Sequence, residues 1–294
     1  MAYRALYRKW RPDTFDTVIG QSHITDTICN EILSGHLAHA YLFTGTRGTG
    51  KTSTAKILSR AVNCLSPKNG NPCNECEACL SVNNATSLDV AELDAASNNK
   101  VDDIRRICDE VIYPPVSLKK RVYIVDEVHM LTTQAFNALL KTLEEPPEHA
   151  VFILATTELQ KVPATIVSRC QRFDFSRIRK EKIVDRLMYI CSQEGINMER
   201  DAAFVIANLS DGAMRDALTI LETCCAKEGA VDLEKVSAAL NLASRDSLNR
   251  LVEALDKFDS KEAISLITAL FAEGVLPAAL TNQLLQVFRD RVIG

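Results

Sequence analysis

Gly45-Thr46-Arg47-Gly48-Thr49-Gly50-Lys51-Thr52 is the stretch around which the rest of the chain is read. The apolar run Ala40-Tyr41-Leu42-Phe43 precedes it, and Ala55, Ile57, Leu58, Ala61 and Val62 follow at helical spacing. Strand, glycine-rich loop, helix is the setting in which this pattern wraps phosphate. Glycines let the backbone close around phosphate oxygens, with its N–H groups and the helix N-terminus aimed at them. Gly45 through Ser53 are therefore candidate nucleotide-binding residues. Lys51 would reach the β- and γ-phosphates and the Thr52 hydroxyl would ligate Mg²⁺. A Gly/Thr/Lys turn can match by chance, so acidic partners downstream carry weight.

Those partners follow Val122-Tyr123-Ile124-Val125, a β-branched run suited to a strand buried on both faces. It ends in Asp126-Glu127. An acidic pair after a strand could merely cap the next helix. Downstream of a phosphate loop, Asp126 would hold the Mg²⁺ and Glu127 would orient and activate water. A further strand, Val151 to Ala155, ends in Thr156-Thr157, whose hydroxyls could contact a γ-phosphate or could be ordinary strand-end chemistry. Shorter runs at 88–93 and 172–175 complete five predicted strands. Helices are predicted over 22–34 (capped by Ser22), 55–62, 101–111 and 132–145, with Tyr113-Pro114-Pro115 and Pro146-Pro147 as stops. Alternation of this kind predicts a parallel sheet with helices on both faces. From Arg177 the periodicity is helical only, over 180–194, 199–210, 213–228, 232–241, 245–258 and 260–273, then from about Pro277 to the end.

Cys64 and Cys73-x2-Cys76-x2-Cys79 flank a Pro/Gly loop, four cysteines within sixteen residues. Tetrahedral Zn²⁺ held by thiolates suits this spacing, and four thiolates make a closed, structural site. Disulfides and an iron–sulfur cluster are the alternatives. The other six cysteines read as small core residues. With 294 residues and 47% hydrophobic content the chain has ample core for two or three domains. A net charge of −4 advertises no domain-wide basic surface for nucleic acid. No apolar leader and no membrane-length run are visible, so the chain is read as cytoplasmic. Basic residues Arg8, Lys9 and Arg11 surround Tyr7 and Trp10 near the start, as a solvated arm or a packed one.

In order, the phosphate loop, the cysteine insert, Asp126-Glu127-Val128-His129, Thr157, Ser168-Arg169-Cys170 and Gly212-Ala213-Met214-Arg215-Asp216 resemble the clamp-loader AAA+ ATPases. Within them the chain is most similar to the gamma/tau subunits of bacterial DNA polymerase III, from Tyr7-Arg8-Lys9-Trp10-Arg11-Pro12 onward. The resemblance implies a five-stranded AAA+ domain at 1–178 carrying the zinc insert at 64–79. A helical lid at 179–242 and the truncated start of a helical collar at 243–294 would follow. It implies Thr157 as first sensor (Thr156 as second choice), Arg215 as lid sensor, and Arg169 as an arginine finger reaching a neighbouring subunit's γ-phosphate. By residue type alone Arg169 would be a surface arginine. It implies an adenine pocket lined by Tyr7, Arg11, Val18 and Ile19, with ATP, Mg²⁺ and Zn²⁺ bound. The implied partners are other loader subunits and further copies in a circular pentamer, a sliding clamp, primer–template DNA and the polymerase holoenzyme. The implied place is the bacterial cytoplasm beside the nucleoid. The implied activity is ATP hydrolysis that opens the clamp and loads it on DNA; no polymerase chemistry is visible in this chain. A helicase-type ATPase, a small-molecule kinase and a nucleotide-binding scaffold without turnover are the competing readings. Intact Lys51, Thr52, Asp126 and Glu127 oppose the scaffold, and a helical lid carrying Arg215 opposes the kinase.

Overall fold

The computed structural model describes residues 5–97, 101–225 and 229–293. Its first elements are α1 (Leu6–Lys9), a 3-10 turn (Phe15–Thr17), α2 (Ser22–Ser34), β1 (Ala40–Gly45), α3 (Lys51–Ala61) and α4 (Glu77–Asn83). Next come β2 (Val90–Asp94), α5 (Val101–Glu110), β3 (Arg121–Asp126), α6 (Thr133–Glu144), β4 (Ala150–Thr156), α7 (Ala164–Val167) and β5 (Gln171–Phe175). The remainder is helical: α8 (Lys180–Glu194), α9 (Arg200–Leu209), α10 (Met214–Cys225), α11 (Leu233–Ala239), α12 (Arg245–Asp256), α13 (Ser260–Ala272) and α14 (Pro277–Ile293). The helix expected over 213–228 is described as far as Cys225; 226–228 lie outside the described residues.

The five strands pair in parallel in the order β2-β3-β4-β1-β5. Side chains alternate across the pleat, so each central strand feeds two cores. Leu42, Tyr123, Val125, Phe152 and Leu154 meet Ile104 of α5 and Phe136, Leu139 and Leu143 of α6. Tyr41, Phe43, Val122, Ile124 and Ile153 meet Ile24 and Ile28 of α2 and Ile57 and Leu58 of α3. Burial of each such side chain stabilises the fold by about 1.5–3 kcal/mol, which holds the β-branched runs in the middle of the sheet. Chain order reverses between β1 and β4, and Thr44 lies in register with Thr156 there. The carboxyl ends at such a reversal leave a crevice for ligand.

One expectation is corrected. Ser22 does not cap α2; it is the first helical residue, and Gln21 stands at the cap. The Gln21 carbonyl accepts from the N–H groups of Ile24 and Thr25 at 2.9 and 3.0 Å. Its side chain is wholly buried and used elsewhere, as described below.

Two compact units result, one of residues 1–186 with 210–216, the other of 187–209 with 217–294. The first holds the sheet. The second is all-helical, and within it Ala243, Leu248, Leu251, Ala263, Leu270 and Leu280 form a cluster of their own. Ser244 and Asp259 cap α12 and α13 by accepting from the N–H groups of Ser247 and Glu262, which sets where those helices begin.

Candidate functional site

The loop between β1 and α3 has little room to vary. Gly45 lies at φ 140°, and a Cβ there would come within 2.3 Å of the Phe175 carbonyl oxygen on β5. Gly48, at φ 79°, would place a Cβ 2.8 Å from that of Ala213, and its carbonyl accepts from the Met214 N–H at 3.1 Å. Thr49 closes the loop internally, its hydroxyl donating to the Thr46 carbonyl at 2.8 Å. Lys51 is buried, and its ammonium donates to the carbonyls of Gly45 and Thr46 at 2.7 and 2.9 Å. Burial lowers its pKa, and the carboxylates of Glu127 and Asp126 oppose that shift. The Thr52 hydroxyl donates to Asp126 Oδ2 at 2.7 Å, joining the start of α3 to the end of β3. Ser53 is half-buried in the first turn of α3. A hydroxyl and a carboxylate so placed form the oxygen-donor pair that suits Mg²⁺.

Glu127 leaves β3 in the left-handed region, φ 49° and ψ 46°, which turns its side chain out of the strand's alternation. Its Oε2 accepts from the Thr157 N–H at 3.2 Å and from the Thr157 hydroxyl at 2.9 Å. His129 Nδ1 lies 3.3 Å from the same oxygen and 3.0 Å from the Thr156 hydroxyl, while its Nε2 faces Glu158 at 3.3 Å. Thr157, Glu127, Thr46 and Arg47 line one open cleft with His129 and Met130. Thr156 is fully buried in β4. The two threonines are thus separated, with Thr157 facing the cleft.

Val18 is buried, its Cγ1 3.5 Å from the point a Cβ on Gly50 would occupy. Ile19 is half-buried beside it, whereas Arg11 is exposed. The Arg215 guanidinium stacks over the Tyr7 ring, 5.0 Å from its centroid. Arg169 is not among the residues lining the cleft. It donates to the Thr165 carbonyl at 2.7 Å and to Glu144 Oε1, the last residue of α6, at 2.6 Å.

The Sγ atoms of Cys64, Cys73, Cys76 and Cys79 all lie within 4.8 Å of one another, with Cys73 and Cys79 at 4.0 Å. A tetrahedral zinc with sulfur at about 2.3 Å needs ligands roughly 3.8 Å apart, so the set fits with a slight contraction. Backbone N–H groups point at the sulfurs, Cys73 N–H to Cys64 and Cys76 N–H to Cys73, each at 3.3 Å. N–H groups of Glu75 and Cys76 hold the Cys73 thiol below its usual pKa, whereas burial pushes the Cys64 and Cys79 thiols up. The four are free thiols, not disulfides.

Residues 20–179 match a family model described as DNA polymerase III, delta subunit, and residues 182–226 match the DNA polymerase III clamp loader subunit, ATPase lid domain. DNA polymerase III subunit gamma of Buchnera aphidicola is 42% identical over 94% of this chain and 76% of its own length. The chain belongs to the DNA polymerase III gamma/tau family. Other gamma/tau relatives are longer: subunit tau of Bacillus subtilis is 48% identical over 100% of this chain, and that of Escherichia coli 42% over 97%. The chain spans about half the length of these curated relatives, 52% and 44% respectively. The Thermotoga maritima RuvB Holliday junction branch migration motor superposes with a TM-score of 0.58 at 18% identity, over 93% of this chain and 91% of that one. That likeness shows the shared AAA+ fold, as the sheet order and helical second half also do.

Sequence reasoning missed several residues of this gamma/tau-family site. Buried Gln21 donates to the carbonyls of Thr49 and Ser176, 3.4 and 2.7 Å away. His129 stands two residues after Glu127 in the Asp-Glu-Val-His run, a spacing that signals its contact with that carboxylate. Away from the site, at the opposite end of the strands, wholly buried Asp89 accepts from the N–H groups of Val116, Ser117 and Leu118 at 2.7 to 2.9 Å. No local pattern announces a contact of that sequence separation.

Proposed function

We propose that this chain is the ATP-hydrolysing subunit of a clamp loader, using ATP binding and hydrolysis to open a sliding clamp and load it on primer–template DNA during replication. The observation that carries the reading is the 2.7 Å bond from Thr52 to Asp126 beside buried Lys51, within a gamma/tau-family chain. Gly45 through Ser53 wrap the triphosphate, Lys51 turning from the loop carbonyls to the β/γ-phosphates. Thr52 and Asp126 hold Mg²⁺, which neutralises charge on the phosphoryl oxygens when bound. Glu127 is the general base. Its Oε2 is tied to Thr157 here, so a γ-phosphate that engages Thr157 frees the carboxylate to orient water. Arg215 is the lid sensor, and Tyr7, Arg11, Val18 and Ile19 line the adenine pocket. Arg169 serves the neighbouring subunit's site, a placement supported by its partly exposed pairing with Glu144 outside the cleft. Cys64, Cys73, Cys76 and Cys79 hold a structural zinc.

The same reading divides the chain at 1–178, 179–242 and 243–294 into AAA+ domain, lid and the start of a collar. The lid-domain match over 182–226 and the separate apolar cluster from Ala243 to Leu280 support it. The collar joins copies of this chain and other loader subunits in a circular pentamer within the polymerase holoenzyme, in the cytoplasm beside the nucleoid. Among the described residues no helix is long and apolar enough to cross a membrane. The test is ATP turnover with and without clamp, partner subunits and primed DNA. Turnover stimulated by all three and abolished by Lys51→Ala is expected. No turnover in the complete assembly, or a Lys51→Ala chain that turns over normally, would overturn the reading.

A further inference from the structure

A short hairpin lies between two of the four cysteines and packs on α2 and the segment before it. Lys68 and Asn71 exchange backbone hydrogen bonds of 2.9 Å in both directions. Between them Asn69 and Gly70 take φ of 51° and 81°, as a tight type I′ turn demands. The hairpin sits in the eight residues between the ligands Cys64 and Cys73, so a metal that joins those sulfurs also closes the loop that bears it. Its tip is pressed on α2: a Cβ on Gly70 would lie 2.8 Å from the Cys29 Cα.

Asn71 is 7% exposed and commits both ends of its amide to the segment before α2. Its Oδ1 accepts from the Phe15 N–H at 2.7 Å, and its Nδ2 donates to Asp16 Oδ2 at 3.1 Å. The Asp13 carbonyl is anchored from the same side, by Asn74 Nδ2 at 3.0 Å and Arg60 Nη2 at 2.9 Å. Arg60 also donates to Asn83 at the end of α4, 2.6 Å away. The other end of this segment touches the phosphate loop, Val18 beside Gly50 and Gln21 on the Thr49 carbonyl.

We propose that the four-cysteine centre is a strut of the nucleotide site, with Asn71 as the positioning residue that transmits it. Metal binding fixes hairpin 68–71, the hairpin holds residues 13–18 against the phosphate loop, and loss of the metal loosens nucleotide binding while the catalytic groups stay in place. This rests on the reading of that loop as a nucleotide site. Opening the loop returns chain entropy that the metal had removed, so the two hydrogen bonds of Asn71 are held less firmly against their partners.

The test measures binding of a slowly hydrolysed fluorescent ATP analogue, zinc content, and the KM and kcat of ATP turnover in the full chain. Asn71→Ala should keep its zinc, bind nucleotide roughly three- to tenfold more weakly, the size of one net hydrogen bond, and raise KM with kcat nearly unchanged. Cys73→Ser with Cys76→Ser should lose the metal and weaken nucleotide at least as much, and adding Asn71→Ala should then change little, because the two act on one strut. Asn71→Asp alone opposes two carboxylates and should weaken binding; Asn71→Asp with Asp16→Asn restores a donor and an acceptor and should recover affinity. A zinc-loaded Asn71→Ala chain with parental affinity overturns the strut, as does a folded metal-free chain with parental affinity. A parental chain that binds no nucleotide overturns both the site reading and the strut.

Discussion

Glu127 holds a left-handed backbone conformation that costs a non-glycine residue about 1–3 kcal/mol, and one of its oxygens is already engaged by Thr157. The proposed role as base rests on its place in the cleft and on release of that oxygen from Thr157. Glu127→Gln keeps the shape and the acceptor for Thr157 but cannot take a proton. It should bind ATP normally and hydrolyse it roughly 10²–10⁴-fold more slowly in the assembled complex; parental turnover there would remove Glu127 from the mechanism. Asp89 has a structural task at the opposite end of the strands. Burial opposes its ionisation, yet the N–H groups of Val116, Ser117 and Leu118 outweigh that and hold its pKa below the usual 3.8. The stabilisation is therefore fully present above the unfolded pKa and is lost as pH falls through the lower folded value. Asp89→Asn should cost about 1.5–3 kcal/mol in urea unfolding at pH 7. The gap between parent and variant should narrow below roughly pH 4.

At the scale of elements, the phosphate loop is shaped as much by what lies over it as by its own glycines. Gly48 accepts the Met214 N–H and leaves no space for a Cβ against Ala213. Gly48→Ala therefore meets a steric conflict and a left-handed φ together, the latter alone costing about 1–2 kcal/mol. Lower thermal stability and weaker nucleotide binding should appear together; loss of one without the other would mean that the 213–214 contact does not shape the loop. The cysteine element makes a separate prediction. Elemental analysis should find about one zinc per chain and no iron–sulfur absorption band, an outcome with which the four clustered thiols are compatible. Iron, or no metal at all, would contradict it.

For the molecule as a whole, the proposed role of Arg169 is to couple one chain's chemistry to assembly. Its guanidinium is tied to Glu144 and the Thr165 carbonyl, and it does not line the chain's own cleft. Arg169→Ala should leave the altered subunit's own ATP binding nearly intact and slow hydrolysis in its neighbour by roughly 10³-fold or more, the usual worth of an inserted guanidinium. A mixed complex with one altered subunit, each site blocked in turn, separates the two. Hydrolysis lost at the altered subunit's own site, with the neighbour unaffected, would place the finger in cis.

Local pattern suffices for the five strands, their parallel alternation with helices, the glycine-rich turn between β1 and α3 and the clustering of the four cysteines. Each of these is written in adjacent or evenly spaced residues: β-branched runs, a glycine loop between strand and helix, cysteines two apart. The same locality makes Ser22 look like a cap, since a serine before an apolar-periodic run is a local signal. Folding instead put Gln21 at that position and sent its side chain to Thr49 and Ser176, the latter 155 residues away. The separation of Thr157 from Thr156, the tie of Arg169 to Glu144 and the reach of Asn71 to Phe15 belong to the same class. They depend on which strand lies beside which and on which buried polar atom finds a partner there. Hydrogen-bond satisfaction in a closed core is decided over the whole molecule, and no neighbouring residue in the chain records it.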